Sequence, residues 1–296
     1  MTTDVHRMTI VEEEDAAKAA RKRVWSTVAH VLLIGASILM LYPLLWLLAA
    51  SVRPENEIFS SASIIPSTWS LDSYFRGWNG LRVSFGVFFI NSFVIAFLAV
   101  AGNLITCSLA AYAFARLKFG GRGFWFAMML MTLMLPYQVV LIPQYVLFRQ
   151  LGWVDTILPL VAPKFLAVDA FFIFLMVQFF RGIPRELDEA AMMDGCSPWR
   201  IYWKIMMPLS LPVMTTAAIF TFIWTWDDFF GPLIYLNQMS QYTVMLGLRT
   251  FVDSTGQSDY GGLFAMSVLS LVPIFLFFLF FQRLLIEGIA TTGMKR

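Results

Sequence analysis

Charge is scarce in this chain. Asp, Glu, Lys and Arg make up 14% of its 296 residues, against roughly a quarter in a soluble domain. Apolar residues make up 59%. A soluble enzyme of this length would lack the polar surface to cover its core, and a disordered chain would not carry so much apolar bulk. Histidine is almost missing: His6 sits in the N-terminal tail, and His30 reads as an interfacial residue. The two cysteines, Cys107 in an apolar run and Cys196 in a charged segment, have no metal-ligand spacing and are not expected to pair. No G-x-x-x-x-G-K-[ST] phosphate loop occurs, so the chain should not hydrolyse ATP by itself; Gly120-Gly121-Arg122-Gly123 reads as a short turn. H-E-x-x-H, G-x-S-x-G and a potassium-filter sequence are missing too, which leaves no nucleophile or metal set for a membrane enzyme. The net charge is only +2, and the basic run Arg21-Lys22-Arg23 stands directly before an apolar stretch. There it flanks a membrane; nothing points to nucleic acid.

What is abundant is apolar length. Six runs, at about 24–51, 86–115, 124–148, 161–180, 208–235 and 262–286, can each cross a hydrocarbon core of roughly 30 Å as a helix. Backbone groups cannot stay unpaired in lipid, and the runs are continuous rather than alternating, so helices are expected and a barrel is not. The first run is too long for a signal-peptide core and reads as an uncleaved span. The 29 Phe, 17 Met and 10 Trp suit contact with lipid and with one another. Pro136 and Pro143, Pro159 and Pro163, Pro208, Pro212 and Pro232, and Pro273 punctuate the last four runs and should kink them. Lys and Arg gather on one side, in the N-terminal tail, at 116–122, at 181–204 and after 283, leaving Arg53, Arg76, Arg82, Arg149 and Arg249 for the other. The positive-inside rule then places both termini and 181–207 in the cytoplasm. The chain divides into a tail 1–23, a first helix and outer loop 24–85, a core 86–290 containing the segment 181–207, and a tail 291–296.

The segment between the fourth and fifth runs is the most informative. Pro184 suits a helix start, and Glu186, Asp188 and Glu189 complement its positive end. Gly195 stops that helix in a left-handed cap, and Ser197 caps a second one with Pro198 at its first position. Composition alone allows an ordinary amphipathic hairpin. The order Glu189-Ala190-Ala191, three residues, Gly195, nine residues, Ile205, one residue, Met207-Pro208 is more specific. It resembles the EAA motif of the membrane subunits of binding-protein-dependent ABC importers, with Met207 where the family has Leu. Asn91-Ser92, Ala111 to Arg116, Trp226-Asp227-Asp228 and the ending from Phe281 to Gly293 look like the carbohydrate branch of that family, the maltose-type permeases.

The resemblance implies an all-α integral membrane protein of the bacterial cytoplasmic membrane, with six transmembrane helices in the type I ABC importer permease fold and a cytoplasmic coupling helix pair. It implies a second, similar permease subunit, two copies of an ATPase subunit that hold ATP and Mg, and a soluble binding protein docking from outside, reached by the outer loop 236–261. Glu189 and Gly195 carry over as the contact with the ATPase, with Ala190 and Ala191 as a close-contact surface and Asp194 beside them. The C-terminal residues Thr291 to Arg296 are expected to touch the ATPase as well. The resemblance leaves open a neutral oligosaccharide, a uronic-acid oligomer or a glycerol phosphodiester.

The fifth run suggests where substrate passes. At 100° per residue, Thr221, Trp224, Asp228, Gly231 and Tyr235 share one face, with Asp227 at its edge; Ile219, Phe222, Trp226, Phe229, Phe230 and Leu233 take the other, which lipid would tolerate. A carboxylate in hydrocarbon costs about 2.5–3.5 kcal/mol even on permissive scales, so Asp228 should face a cavity or a partner helix. Rings beside a carboxylate suit a sugar, making Trp224, Asp227, Asp228 and Tyr235 the expected path. The alternative is an ion-coupled secondary transporter built on Asp169, Asp227 and Asp228, but such proteins usually show an internal repeat, and none is visible here.

Overall fold

The computed structural model describes residues 2–60, 65–252 and 258–293, with the side chains of 2–20, 23 and 283–293 left aside. Among the described residues the architecture is entirely helical. The elements are α1 (Thr2–Ser51), α2 (Asp72–Asn79), α3 (Phe85–Arg116), α4 (Arg122–Thr132), α5 (Tyr137–Gln150), α6 (Leu158–Val161), α7 (Ala170–Gly182), α8 (Glu186–Met193), α9 (Pro198–Ile201), α10 (Met207–Leu209), α11 (Leu211–Trp226), α12 (Phe230–Tyr235), α13 (Val244–Leu248) and α14 (Tyr260–Gly293). Among the described residues four helical stretches, 24–51, 85–116, 158–182 and 260–282, are long and apolar enough to cross a membrane, and up to six spans result if each of two bent pairs counts as one.

The breaks fall where proline or left-handed backbone interrupts the apolar runs. The third run is two helices, α4 and α5, bent by 98° at 133–136. Pro136 has no N–H and pushes Leu135 out of the helical region. The fourth is α6, a 3-10 turn over Ala162–Leu166 and then α7, broken where Ala167 takes φ +54°. The fifth bends by 76° between Leu209 and Leu211, and ends early, at Trp226. By contrast, α1 and α14 run through Pro43 and Pro273 unbroken.

Helix α3 is the hub. Ser92, Ala96, Ala99, Asn103, Cys107, Ala111 and Ala115 are all buried and recur every three or four residues. This stripe of small side chains lets α7 and α11 approach closely. Into it fit the large residues Phe172, Met176 and Phe180 of α7, and Phe222 and Trp226 of α11. The face of α11 expected to meet lipid therefore does not: Ile219, Phe222 and Trp226 are about 1% exposed, packed between α3 and α14. The Trp226 indole donates to the Ser270 carbonyl of α14 at 3.1 Å, and Phe222 stacks on Phe277 at 4.3 Å. Apolar character could not separate this intramolecular face from a lipid face. α1 touches the bundle at its far end, where Ala49, Ala50 and Ser51 are buried and Trp46 meets Phe264 of α14.

Candidate functional site

One end of the bundle carries the helix pair α8–α9. α8 ends as the sequence requires. Gly195 has φ +76°, its N–H bonds the Met192 carbonyl at 3.0 Å, and the Cys196 N–H reaches back to Ala191 at 2.9 Å. That is a Schellman cap. Ser197 then caps α9 by accepting from the Arg200 N–H, and Pro198 opens it. The start of α8 lies slightly later than Pro184 suggested, at Glu186. Beyond α9 the chain makes a π turn over Tyr202–Met206 before α10.

α3 anchors this pair. The Arg116 guanidinium lies 3.2 Å from the Asp188 carboxylate, with both side chains nearly buried, and a second nitrogen donates to the Ile183 carbonyl at 2.7 Å. Arg116 Nε and Asp188 Oδ1 make no hydrogen bond. The Tyr112 hydroxyl donates to the Pro198 carbonyl at 3.0 Å, and Ser108 pairs with the Tyr202 hydroxyl at 2.7 Å. The sequence showed Arg116 and Asp188 only separately; their meeting depends on the turn between α7 and α8.

The anchoring decides which expected contact residues face outward. Glu189, Ala190, Asp194 and Gly195 are exposed, together with Met192, Met193 and Trp199. Ala191 is not: it packs against the chain's own core beside Phe180, Ile201 and Tyr202. The outward small surface is therefore Ala190 and the Gly195 turn, where an added Cβ would meet open space.

Deeper in the bundle, α11 and the broken fourth span enclose a pocket of about 90 Å³. Thr221, Trp224, Thr225 and Asp228 line one side, and Leu160, Lys164 and Phe172 the other. Lys164 pairs with Asp169 at 2.8 Å across the break at Ala167. Asn103 of α3 donates to Thr221 at 2.7 Å, fixing one wall. A site that encloses a small ligand on its own measures roughly 300–1,000 Å³, so this pocket can be only part of one.

The expected path residues divide. Thr221, Trp224 and Asp228 do come together at the pocket. Asp228 also accepts from the Gly231 N–H at 3.0 Å, holding the chain as it turns into α12. Asp227 is exposed and does not line the pocket. Tyr235 is buried elsewhere, 6.2 Å from the Tyr145 ring and 5.5 Å from Phe148. The helical period that would put it on that face stops at Trp226. Lys164 was the missed lining residue. Its signal was a lone charge within an apolar run.

At the other end, the polar loops are tied down. Asn91 donates to the carbonyls of Ser240 and Tyr242, and Ser92 accepts from the Val244 N–H at 2.8 Å. These bonds give the Asn91-Ser92 pair a structural task. Asp155, at φ +63°, accepts from the N–H groups of Asn237 and Gln238 and from the Gln238 side chain. The Asn237 bond, chiefly, holds its carboxyl below the usual range. Between α1 and α3, Arg76 of α2 binds Glu55 at 2.9 Å, which raises the Arg76 pKa, and lies 3.7 Å from Asp259. Of the outer loop, 253–257 lie outside the described residues, as do 294–296 of the C-terminal tail.

Among the described residues no group of His, Cys, Asp or Glu gathers as a metal site would require. Comparison with known proteins gives a consistent answer. Residues 102–291 match the family of binding-protein-dependent transport system inner membrane components. The chain is 35% identical over 257 residues to the arabinooligosaccharides transport system permease protein AraQ of Halalkalibacterium halodurans, covering 86% of this chain and 91% of that one. It is 30% identical to the diacetylchitobiose uptake system permease protein NgcG of Streptomyces coelicolor, over 95% and 92% of the two chains. Its fold is similar to that of a solved bacterial ABC transporter chain involved in import of the acidic polysaccharide alginate, with TM-score 0.79, 23% identity, and coverage of 88% and 96%. The chain belongs to the binding-protein-dependent transport system inner membrane components: it is a multi-pass permease subunit of an ABC importer.

Proposed function

We propose that this subunit forms, with a second permease subunit, the path by which a carbohydrate delivered by a soluble binding protein crosses the membrane. ATP hydrolysis in two copies of a separate ATPase subunit drives the step. ATP and Mg would be held there, since this chain has no phosphate loop. The names of AraQ, an arabinooligosaccharides transport system permease, and NgcG, a diacetylchitobiose uptake system permease, support a carbohydrate. The distribution of Lys and Arg supports cytoplasmic termini.

The observation that carries the reading is the continuity of α3. Its Arg116 end grips α8, and its middle lines the pocket with Ile95 and holds Thr221 of the pocket wall through Asn103. A push on the exposed Glu189–Gly195 surface would move α3, and with it α7 and α11. Alternating access then becomes a rigid-body rocking of packed helices. The 90 Å³ pocket would grow to substrate size only against the second permease subunit.

The test is uptake of labelled oligosaccharides into proteoliposomes holding both permease subunits and the ATPase. Uptake should require ATP on the ATPase side and loaded binding protein on the other, and this chain alone should hydrolyse none. Uptake driven by an imposed ion gradient without ATP would overturn the proposal.

A further inference from the structure

The pocket has a charge pattern that the path reading leaves unused. Lys164 is the only cation among its lining residues, and Asp169 already holds that ammonium at 2.8 Å. Asp228 adds a second carboxylate to the lining. The remaining polar lining is hydroxyl, from Thr221, Thr225 and Thr243. Trp224 contributes an aromatic face, half-exposed and backed by Phe172 at 5.3 Å.

This lining suits one chemistry and opposes another. A polyhydroxylated ligand can donate to Asp228, exchange hydrogen bonds with the threonines and lay its C–H face on Trp224. A carboxylate or phosphate needs a cation whose charge is not already matched, because burying an unpaired charge is costly. It would also meet Asp228 in a low-dielectric setting, where like charges repel strongly. We infer that this pocket passes uncharged, polyhydroxylated ligands and rejects anionic ones. The inference rests on the proposed role of the pocket as part of the path. It separates neutral oligosaccharides from the uronic-acid and phosphodiester classes that the sequence left open.

The test uses the assembled importer in membrane vesicles, with Thr225→Cys in a Cys107→Ser, Cys196→Ser background. Neutral, cationic and anionic methanethiosulfonates of similar size are compared, each rate normalised to that with free cysteine. The anionic reagent should react at least about tenfold more slowly than the neutral one, a modest ratio for a like charge facing a partly buried carboxylate. Adding Asp228→Asn, whose amide oxygen can still accept from the Gly231 N–H, should raise the ratio of anionic to neutral rate towards one, and an unchanged ratio would overturn the charge inference. Equal rates, or a faster anionic reaction, would overturn the charge inference and leave the path reading standing. No reaction with the neutral reagent would overturn the path reading and the inference with it.

Discussion

The Arg116–Asp188 pair should be the mechanical joint between the α8–α9 pair and the bundle, and its energetics can be worked out. The Arg116 side chain is 4% exposed and the Asp188 side chain 12%, at 3.2 Å. Replacing Arg116 with Met keeps the length and apolar stem but strands the Asp188 carboxylate. Breaking one side of a buried pair costs about 3–5 kcal/mol, and loss of the bond to the Ile183 carbonyl adds about 1 kcal/mol. Because the pair joins two elements, the cost should appear as local opening of α8 rather than global unfolding. A loss of about 3 kcal/mol raises the open population roughly a hundredfold. Hydrogen exchange at amides 188–195 in the assembled complex should report it, along with a rise in ATPase activity without binding protein. The double variant Arg116→Met, Asp188→Leu leaves no unpaired charge and should recover most of the protection. A double-mutant cycle then isolates the coupling, expected above about 2 kcal/mol. Unchanged protection in Arg116→Met, or strict additivity in the cycle, would refute the joint.

Three further outcomes follow from the geometry. Gly195→Val should destabilise the α8–α9 turn by at least about 1–2 kcal/mol through its left-handed backbone, whereas Gly195→Asn should be tolerated; exchange rates of the Cys196 amide distinguish them. Gly247→Ala should lower thermal stability by about 1–3 kcal/mol, because a Cβ there would strike the fully buried ring of Phe88; a scan in detergent measures it. The lowered Asp155 pKa means its carboxylate stabilises the folded loop above the unfolded value of about 4, and this is lost as pH falls through the lowered folded value. Protection of the Asn237 and Gln238 amides should fall with acidification in the native chain and be low at all pH in Asp155→Ala.

The parts legible in the sequence were those set by local chemistry. The Gly195 stop and the Ser197-Pro198 start need only neighbouring residues, and both stand where the pattern put them. The apolar runs gave the helices, and the prolines gave approximate kink positions. What local pattern could not give was phase beyond a break and the owner of an apolar face. An unbroken helical period carries the path face through Tyr235, but α11 ends at Trp226, so Tyr235 meets Phe148 while Thr221, Trp224 and Asp228 stay together. Ala191 and Trp226 looked free for a partner or for lipid and are instead core. Lys164 and Arg116 gained meaning only through contacts with Asp169 and Asp188.

In the proposed mechanism, movement at the α8 surface drives transport through this chain. The direct measurement is carbohydrate uptake per ATP hydrolysed by the reconstituted importer, with wild-type chain and with Glu189→Lys. Glu189 is exposed on α8, so reversing its charge should leave the bundle folded while disturbing the outward surface. The spans should assemble, ATP hydrolysis should persist at some level, and uptake per ATP should fall close to zero. Uptake per ATP equal to wild type, with the variant fully assembled, would contradict it.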